Sequence, residues 1–160
     1  MLRNGNKLAC KPFPPRPEQC LIFYPRGFEI TEFTLYNNKT QRPRSVITGQ
    51  FTKRVNRYIS YPEFLMIEAD LKPGALHRHT GMPCKELANT EVDAETFFAT
   101  EMKRVNGRLG SADTYPEMIA IIEAYFLQLV QKEKKSPLPV DHALQLFAYS
   151  TDFYSVDLVS

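Results

Sequence analysis

The sequence of 160 residues contains no long apolar run, only three cysteines and no strong charge of either sign. No segment reaches the roughly 18 consecutive apolar residues that a membrane-spanning helix needs, and the first residues lack the apolar core of a signal peptide. Cys10, Cys20 and Cys84 are odd in number and widely spaced, which fits neither a disulfide framework nor a zinc site. We therefore expect a protein of the reducing cytoplasm that does not associate with a membrane.

Signatures of catalysis and of nucleic-acid binding are also missing. The seven glycines form no phosphate-cradling loop, and there is no Gly-x-Ser-x-Gly sequence. A net charge of +2 is too mild to predict nucleic-acid binding by bulk charge. Glu68 and Asp70 share one face of a predicted strand and could form a catalytic pair, but exposed carboxylates on an outer face are much commoner. The sequence predicts no catalytic residue, no cofactor and no enzyme activity.

The composition is that of a single globular domain with a proline-rich start. Apolar residues make up 43% of the chain and charged residues 24%, as in soluble proteins, and the length corresponds to about one domain. Four of the twelve prolines lie in residues 10–17. Because proline fixes φ, we expect residues 10–17 to be polyproline-like, within a proline-rich N-terminal arm of residues 1–18. This arm would tether the first strand, or it would act as a recognition arm or a lid over a pocket.

The middle of the chain is predicted to be β-rich and the following part helical. Residues 19–71 contain several short apolar or alternating runs, of which 64–71 is the strongest, and such spacing is typical of a small barrel or sandwich. In residues 72–150, prolines open two short helices, and Asp93 and Thr114 are good N-caps for two longer ones. An apolar stripe on the first long helix comprises Phe98, Met102, Val105 and Leu109. A further helix is predicted to carry Val140, Ala143, Leu144 and Phe147.

The second long helix is predicted to have a wide apolar surface. Its stripe comprises Tyr115, Ile119, Ile122, Phe126 and Leu129. Leu127 and Val130 lie outside this stripe, so the apolar coverage exceeds what one contact needs. This favours a homodimer, with an interface predicted at Ile119, Ile122, Phe126 and Leu129.

The last ten residues predict the beginning of another element. Residues 155–159 read as an N-cap followed by a first helical turn, with no helix behind them. We expect residues 151–160 to be the start of a linker or of a further, truncated module.

The histidine pair His77 and His79 invites comparison with a metal site completed by Glu86. Neutral imidazoles one residue apart can share an ion when both point inward on a strand. On a helix, side chains at i and i+2 diverge. Because a short helix is predicted here, two partly exposed histidines are the preferred interpretation, and no metal ligand is assigned.

One stretch combines basic and aromatic residues. It contains Arg42, Arg44, Lys53, Arg54 and Arg57, interleaved with Phe51, Tyr58 and Tyr61. A platform for single-stranded nucleic acid has this composition, but so does the solvated face of two strands, which we prefer. A third alternative is that some of these arginines line a pocket for an anionic ligand.

The order of these segments and several short sequences resemble a known family. They are residues 14–24 (Pro-Pro-Arg-Pro-Glu-Gln-Cys-Leu-Ile-Phe-Tyr), 46–50 (Val-Ile-Thr-Gly-Gln), 64–76 and 80–87 (Thr-Gly-Met-Pro-Cys-Lys-Glu-Leu). From about Pro14 to Ser160 the chain resembles the N-terminal domain of AraC-type bacterial transcriptional regulators. The resemblance implies an α+β fold, in which a cupin-like small β-barrel or sandwich precedes a C-terminal helical subdomain. It also implies a domain that senses an effector or pairs subunits, with DNA contacted only through a helix-turn-helix module absent from this chain.

The sequence therefore predicts a ligand-sensing or dimerising domain for an unknown small-molecule effector. We expect the effector to contact Phe23, Phe33 and Phe51, with Arg44 or Arg57 as a polar anchor. Two alternatives remain open. One is a metal-dependent cupin-type enzyme that uses His77, His79 and Glu86, and the other is a stand-alone small-molecule-binding protein.

Overall fold

The computed structural model describes residues 9–34, 38–60 and 62–132, together with positions 139 and 142. Apart from position 142, the predicted helix around 140–147 lies outside the described residues, as does the predicted module at 151–160. Within the described ranges there are eight strands: β1 (Ala9–Phe13), β2 (Gln19–Arg26), β3 (Glu29–Phe33), β4 (Asn38–Gln41), β5 (Ser45–Thr48), β6 (Val55–Ile59), β7 (Leu65–Leu71) and β8 (Glu91–Asp93). The helices are α1 (Ala75–Thr80), a 3₁₀ helix (Cys84–Leu87), α2 (Ala94–Ser111) and α3 (Tyr115–Gln131). The predicted α+β class is confirmed, although β8 follows α1 and the 3₁₀ helix and so lies within the segment predicted to be helical.

The strands form two antiparallel sheets of four. The first has the order β1-β6-β3-β4 and the second the order β7-β2-β5-β8. The chain passes from the first sheet to the second near Arg42, whose backbone N–H donates to Glu29, and Arg44, whose carbonyl accepts from Tyr24. No closed barrel forms in the described part of the chain, so the two-sheet form of the prediction is the one observed.

Strand β2 lies at the centre of the fold and is buried on both faces. Leu21 and Phe23 face the helices, whereas Ile22 and Tyr24 face the first sheet. Burial on both faces explains why residues 20–24 read as a continuous apolar run instead of alternating. Gly27, at φ 71°, turns the chain into β3, and a Cβ there would lie 2.1 Å from the carbonyl oxygen of Glu63.

Part of the predicted proline-rich arm is a strand. Residues 9–13 pair with β6 along one edge of the first sheet, where Pro12 lies opposite Asn56. Proline is tolerated at an edge because the ladder needs no N–H on the outer side. Beyond this strand, the backbones of Arg16 and Phe51 pair in both directions. The first segment is therefore sheet at residues 9–13, not a polyproline-like arm.

Both predicted N-caps are confirmed. The Asp93 carboxylate accepts from the backbone N–H of Glu95 at 2.9 Å, and the Thr114 hydroxyl accepts from that of Glu117 at 3.3 Å. Helix α2 has a kink at Ala99, where φ is 40°. Its predicted stripe also holds, because the three members that follow the kink are buried: Met102, Val105 and Leu109.

The predicted inward face of α3 is partly wrong. The buried residues are Met118, Ile121, Ile122 and Tyr125. Of the predicted stripe, Tyr115 is 70% exposed and Ile119 is 44% exposed. Apolar residues occur on most sides of this helix, so its periodicity allowed more than one inward face. Packing against α2 and the sheet selects the observed one.

Among the described residues, no helix is long and apolar enough to cross a membrane.

Candidate functional site

The basic residues Arg42 and Arg57 lie buried between the two sheets. The Arg42 side chain is 1% exposed, and its Nε is 3.2 Å from Glu29 Oε1. Arg57 Nε lies 3.4 Å from the same oxygen. A second carboxylate, that of Glu91 on β8, pairs with Arg42 Nη2. The preferred interpretation of these two arginines as part of a solvated strand face is therefore wrong, because two carboxylates from distant parts of the chain accompany them inside.

Hydrogen bonds complete this buried cluster. Arg42 Nε donates to Thr31 Oγ1 at 2.6 Å, and Arg42 Nη1 donates to the Tyr24 hydroxyl. Burial, opposed by the charge of Arg42, raises the pKa of Tyr24 to about 12. The Arg57 guanidinium carbon lies 3.5 Å from the centroid of the Phe13 ring. Burial lowers the pKa of Arg57, and repulsion from Arg42 lowers it further. With two positive and two negative charges, the cluster ties the sheets together and leaves no net charge for an anionic ligand.

The structure does not bring the five predicted ligand-contacting residues into one pocket. Phe23 is fully buried on the helix side of the second sheet. Phe33 and Phe51 lie on the other side, with ring centroids 6.0 Å apart, and Arg57 is engaged with Glu29 there. Arg44 is exposed. Of the five, Phe33 alone borders the cavity of about 250 Å³ at the mouth between the sheets.

A second, mostly apolar and half-open cavity of about 340 Å³ lies between the second sheet and the helices. Side chains of the sheet form one wall, and α1, α2 and α3 form the others. The apolar lining comprises Leu21, Ile47, Ala69, Leu71, Ala75, Leu76, Phe98, Phe126, Leu129 and Val130. A volume of this size is within the range of small-molecule pockets and about twice that of a cavity that holds benzene.

Polar groups are found at one side of this cavity, around α1. Lys72, Arg78 and His79 line it together with Asp70 of β7 and the apolar residues. Arg78 and His79 belong to the six-residue helix α1, which Gly74 and Gly81, both at positive φ, cap at its two ends. The site can thus bury an apolar body and present charged and imidazole groups to a polar end.

The histidine pair does not form the metal site considered from sequence. His77 lies on α1, and its Nδ1 is 2.9 Å from the carbonyl oxygen of Met82. Glu86 is exposed on the 3₁₀ helix. Among the described residues, the one group whose donor atoms approach closely enough to share a metal ion is Cys20, Glu68 and Asp70.

The predicted dimer interface is mostly occupied within the subunit. Ile122 is 6% exposed in the core, and Phe126 and Leu129 pack against that core. Ile119 alone of the four is exposed. The exposed large apolar side chains of α3 are Tyr115, Ile119, Leu127 and Val130.

Sequence reasoning missed the cavity because its lining comes from six separate segments. Ala69 and Leu71 do alternate with Glu68 and Asp70, which marks the face of β7 that meets the helices. No comparable local signal connects that face with Phe126 or His79.

Comparison of the chain with protein-family models, with curated proteins and with solved structures finds no match.

Proposed function

We propose that this chain is the effector-sensing domain of an AraC-type transcriptional regulator of the bacterial cytoplasm, with a cupin-like arrangement of its two sheets. The observation that carries the proposal is the apolar cavity of about 340 Å³ between the second sheet and α3. A small molecule with an apolar body is the effector that this cavity suits. The resemblance of the sequence motifs supplies the regulatory context, and DNA binding belongs to a helix-turn-helix module outside this chain.

The position of the cavity supports a mechanism for signalling. Leu21 and Ile47 of the second sheet form its floor, whereas Phe126, Leu129 and Val130 belong to α3. A ligand that prefers one spacing between sheet and helix shifts the population toward it, since a ligand moves an equilibrium only by its differential affinity. Val130 lines the cavity and is also 59% exposed, so it connects the cavity with the outer face of α3.

The outer face of α3 is the surface that would pair two subunits in this proposal. Its exposed apolar residues, Tyr115, Ile119, Leu127 and Val130, replace the interface predicted from sequence. Sedimentation at several concentrations tests this. We expect the parent protein to be a dimer and Ile119→Glu to be a monomer, and a parent that stays monomeric throughout contradicts the pairing.

Ligand binding is tested with the fluorescent probe 8-anilinonaphthalene-1-sulfonate. We expect saturable binding by the folded parent chain and loss of binding in Ala75→Phe, which fills the cavity. The matched control is Ala120→Phe, on an exposed turn of α3, which keeps the binding. Equal binding by all three proteins contradicts a ligand site at this place.

The regulatory role has its own test, which is the gene sequence downstream of the codon for Ser160. About 100 further residues with two helix-turn-helix patterns are expected, since each such motif takes a few dozen residues. Ligand binding without such a sequence would make the chain a stand-alone small-molecule-binding protein.

A further inference from the structure

Three side chains of metal-binding type meet on the face of the second sheet that looks toward the first. Cys20 lies on β2, opposite Asp70 of β7, and Glu68 lies two residues before Asp70 on the same face. Cys20 Sγ is 3.1 Å from Glu68 Oε1 and 3.4 Å from Asp70 Oδ1. One donor atom from each of the three residues falls within 4.8 Å of the others.

These separations are those of ligands around a small divalent ion. In a tetrahedral zinc site, Zn–S is about 2.3 Å and Zn–O about 2.0 Å, which places sulfur and oxygen ligands about 3.5 Å apart. The two sulfur–oxygen distances, which in the structure belong to hydrogen bonds, lie near that value. Replacing the shared proton by an ion would therefore change these separations little.

A buried hydroxyl group, that of Thr48, lies next to Cys20 on the same face of the second sheet. This residue lies directly opposite Cys20 on β5, so its side chain points to the same face. Thr48 is 3% exposed, and its Oγ1 has no hydrogen-bond partner within the described part of the chain. A buried hydroxyl without a partner is costly. An ion, or a water molecule bound to it, would supply the missing partner.

In the structure, the Cys20 thiol donates to the carboxylates of Glu68 and Asp70. Burial, together with the hydrogen bonds and charges of Glu68 and Asp70, raises the pKa of Cys20, so an ion has to displace a tightly held proton. When a divalent ion binds, the S–H proton leaves to solvent and the sulfur lone pair bonds to the ion, whose oxidation state does not change. The ion then takes over the role of the proton between the sulfur and the two carboxylates.

We propose that Cys20, Glu68 and Asp70 form a binding site for a zinc-type divalent metal ion, with the Thr48 hydroxyl beside it. The ion would join β2 to β7 from the side opposite the effector cavity. One thiolate and two carboxylates suit borderline ions such as Zn²⁺ and Co²⁺. Leu21 and Ala69 of the cavity lining point the other way, whereas Asp70 borders both the metal site and the effector cavity, so the two sites are tested by separate measurements.

The experiment uses the whole chain with Cys10→Ser and Cys84→Ser, so that Cys20 is the one remaining thiol. Both replaced cysteines are exposed. Co²⁺ added to this background should give a thiolate-to-cobalt charge-transfer absorption, and calorimetry should show one Zn²⁺ per chain. Losing an outer partner of a metal ligand weakens binding about 10- to 100-fold. We therefore expect Cys20→Ser, which removes a ligand, to weaken Zn²⁺ binding by at least about 100-fold.

Asp70→Asn keeps the test valid if the buried Cys20→Ser change impairs folding. Asp70 is exposed, so this variant should fold as its parent does, lose the cobalt absorption and lose any rise of Tm with Zn²⁺.

A substitution of Arg16 should strengthen Zn²⁺ binding, because Arg16 Nη1 lies 3.1 Å from Glu68 Oε1 and competes with an ion for this carboxylate. We expect Arg16→Gln to bind Zn²⁺ more tightly than the background protein.

The proposal is overturned if the background protein shows no thiolate–cobalt absorption. It is also overturned if Cys20→Ser and Asp70→Asn bind Zn²⁺ as the background protein does, since the histidines would then account for the binding. Neither outcome bears on the effector cavity, which the fluorescent-probe experiment tests separately.

Discussion

Replacing Glu29 by glutamine should destabilise the protein strongly. The Glu29 side chain is 2% exposed and faces Nε of both Arg42, at 3.2 Å, and Arg57, at 3.4 Å. In the parent protein, Glu29 and Glu91 balance these two arginines. Glu29→Gln keeps the shape and leaves one buried guanidinium without a counter-charge. Removal of one partner from a buried ion pair costs about 3–5 kcal/mol.

That cost is large compared with the stability of an ordinary domain, about 5–15 kcal/mol. With a urea m-value of about 2 kcal/mol/M, the unfolding midpoint should fall by about 1.5–2.5 M. The measurement is urea denaturation followed by circular dichroism at neutral pH. Glu18→Gln is the control, because this carboxylate is exposed and its loss should leave the midpoint nearly unchanged.

A double variant separates the charge effect from a packing effect. Adding Arg57→Met to Glu29→Gln restores the balance of buried charge, so part of the lost free energy of unfolding should return even though a second polar contact is gone. Buried ion pairs can often be replaced by apolar side chains at little cost, and the two sites should couple because they touch. The reasoning is refuted if Glu29→Gln costs no more than Glu18→Gln, or if the double variant loses the sum of the two single losses.

Four further outcomes are expected. Ala99→Gly should raise Tm, although glycine normally destabilises a helix by about 1 kcal/mol, because Ala99 has φ 40° at the kink of α2; a lower Tm would contradict this. Gly49→Ala should lower the urea midpoint strongly, since its Cβ would lie 1.8 Å from the carbonyl oxygen of Leu87. Hydrogen bonds from neighbouring asparagine, tyrosine and lysine side chains hold the pKa of Glu32 at about 2. The stabilisation that ionised Glu32 contributes is therefore present above the unfolded pKa of about 4.3 and is lost as pH falls toward 2. Glu32→Gln should remove this loss, so that Tm falls less steeply between about pH 4 and pH 2 than it does in the parent protein. Tyr125→Phe should leave the free energy of unfolding unchanged or raise it, because the buried hydroxyl has no hydrogen-bond partner among the described residues, and a clear loss would show that the hydroxyl is satisfied.

Local signals in the sequence predicted much of the secondary structure. The N-caps Asp93 and Thr114 are correct because a cap acts within one turn of its own helix. The alternation of residues 67–71 identified a strand and assigned Glu68 and Asp70 to one face. These features need no information from distant parts of the chain, since backbone geometry and side-chain period set them.

The candidate sites were less accessible to such reasoning. Arg42 and Arg57 lie in a stretch that reads as a solvated face, and their burial follows from Glu29 and Glu91, which reach them from other strands. Nor does any local pattern connect Cys20 with Glu68 and Asp70. That contact arises when β2 and β7 pair in one register.

The sequence by itself determined the order of elements, the helix starts and the alternating faces of the strands, because each depends on neighbours within a few residues. The tertiary structure decided which side of α3 is buried, where the charged residues found partners and where a cavity remained. These depend on long-range pairing, and a one-residue change of register would turn every side chain of a strand to its other face. The three cysteines that fit no site in the sequence illustrate this: one of them, Cys20, meets two carboxylates only in the folded protein.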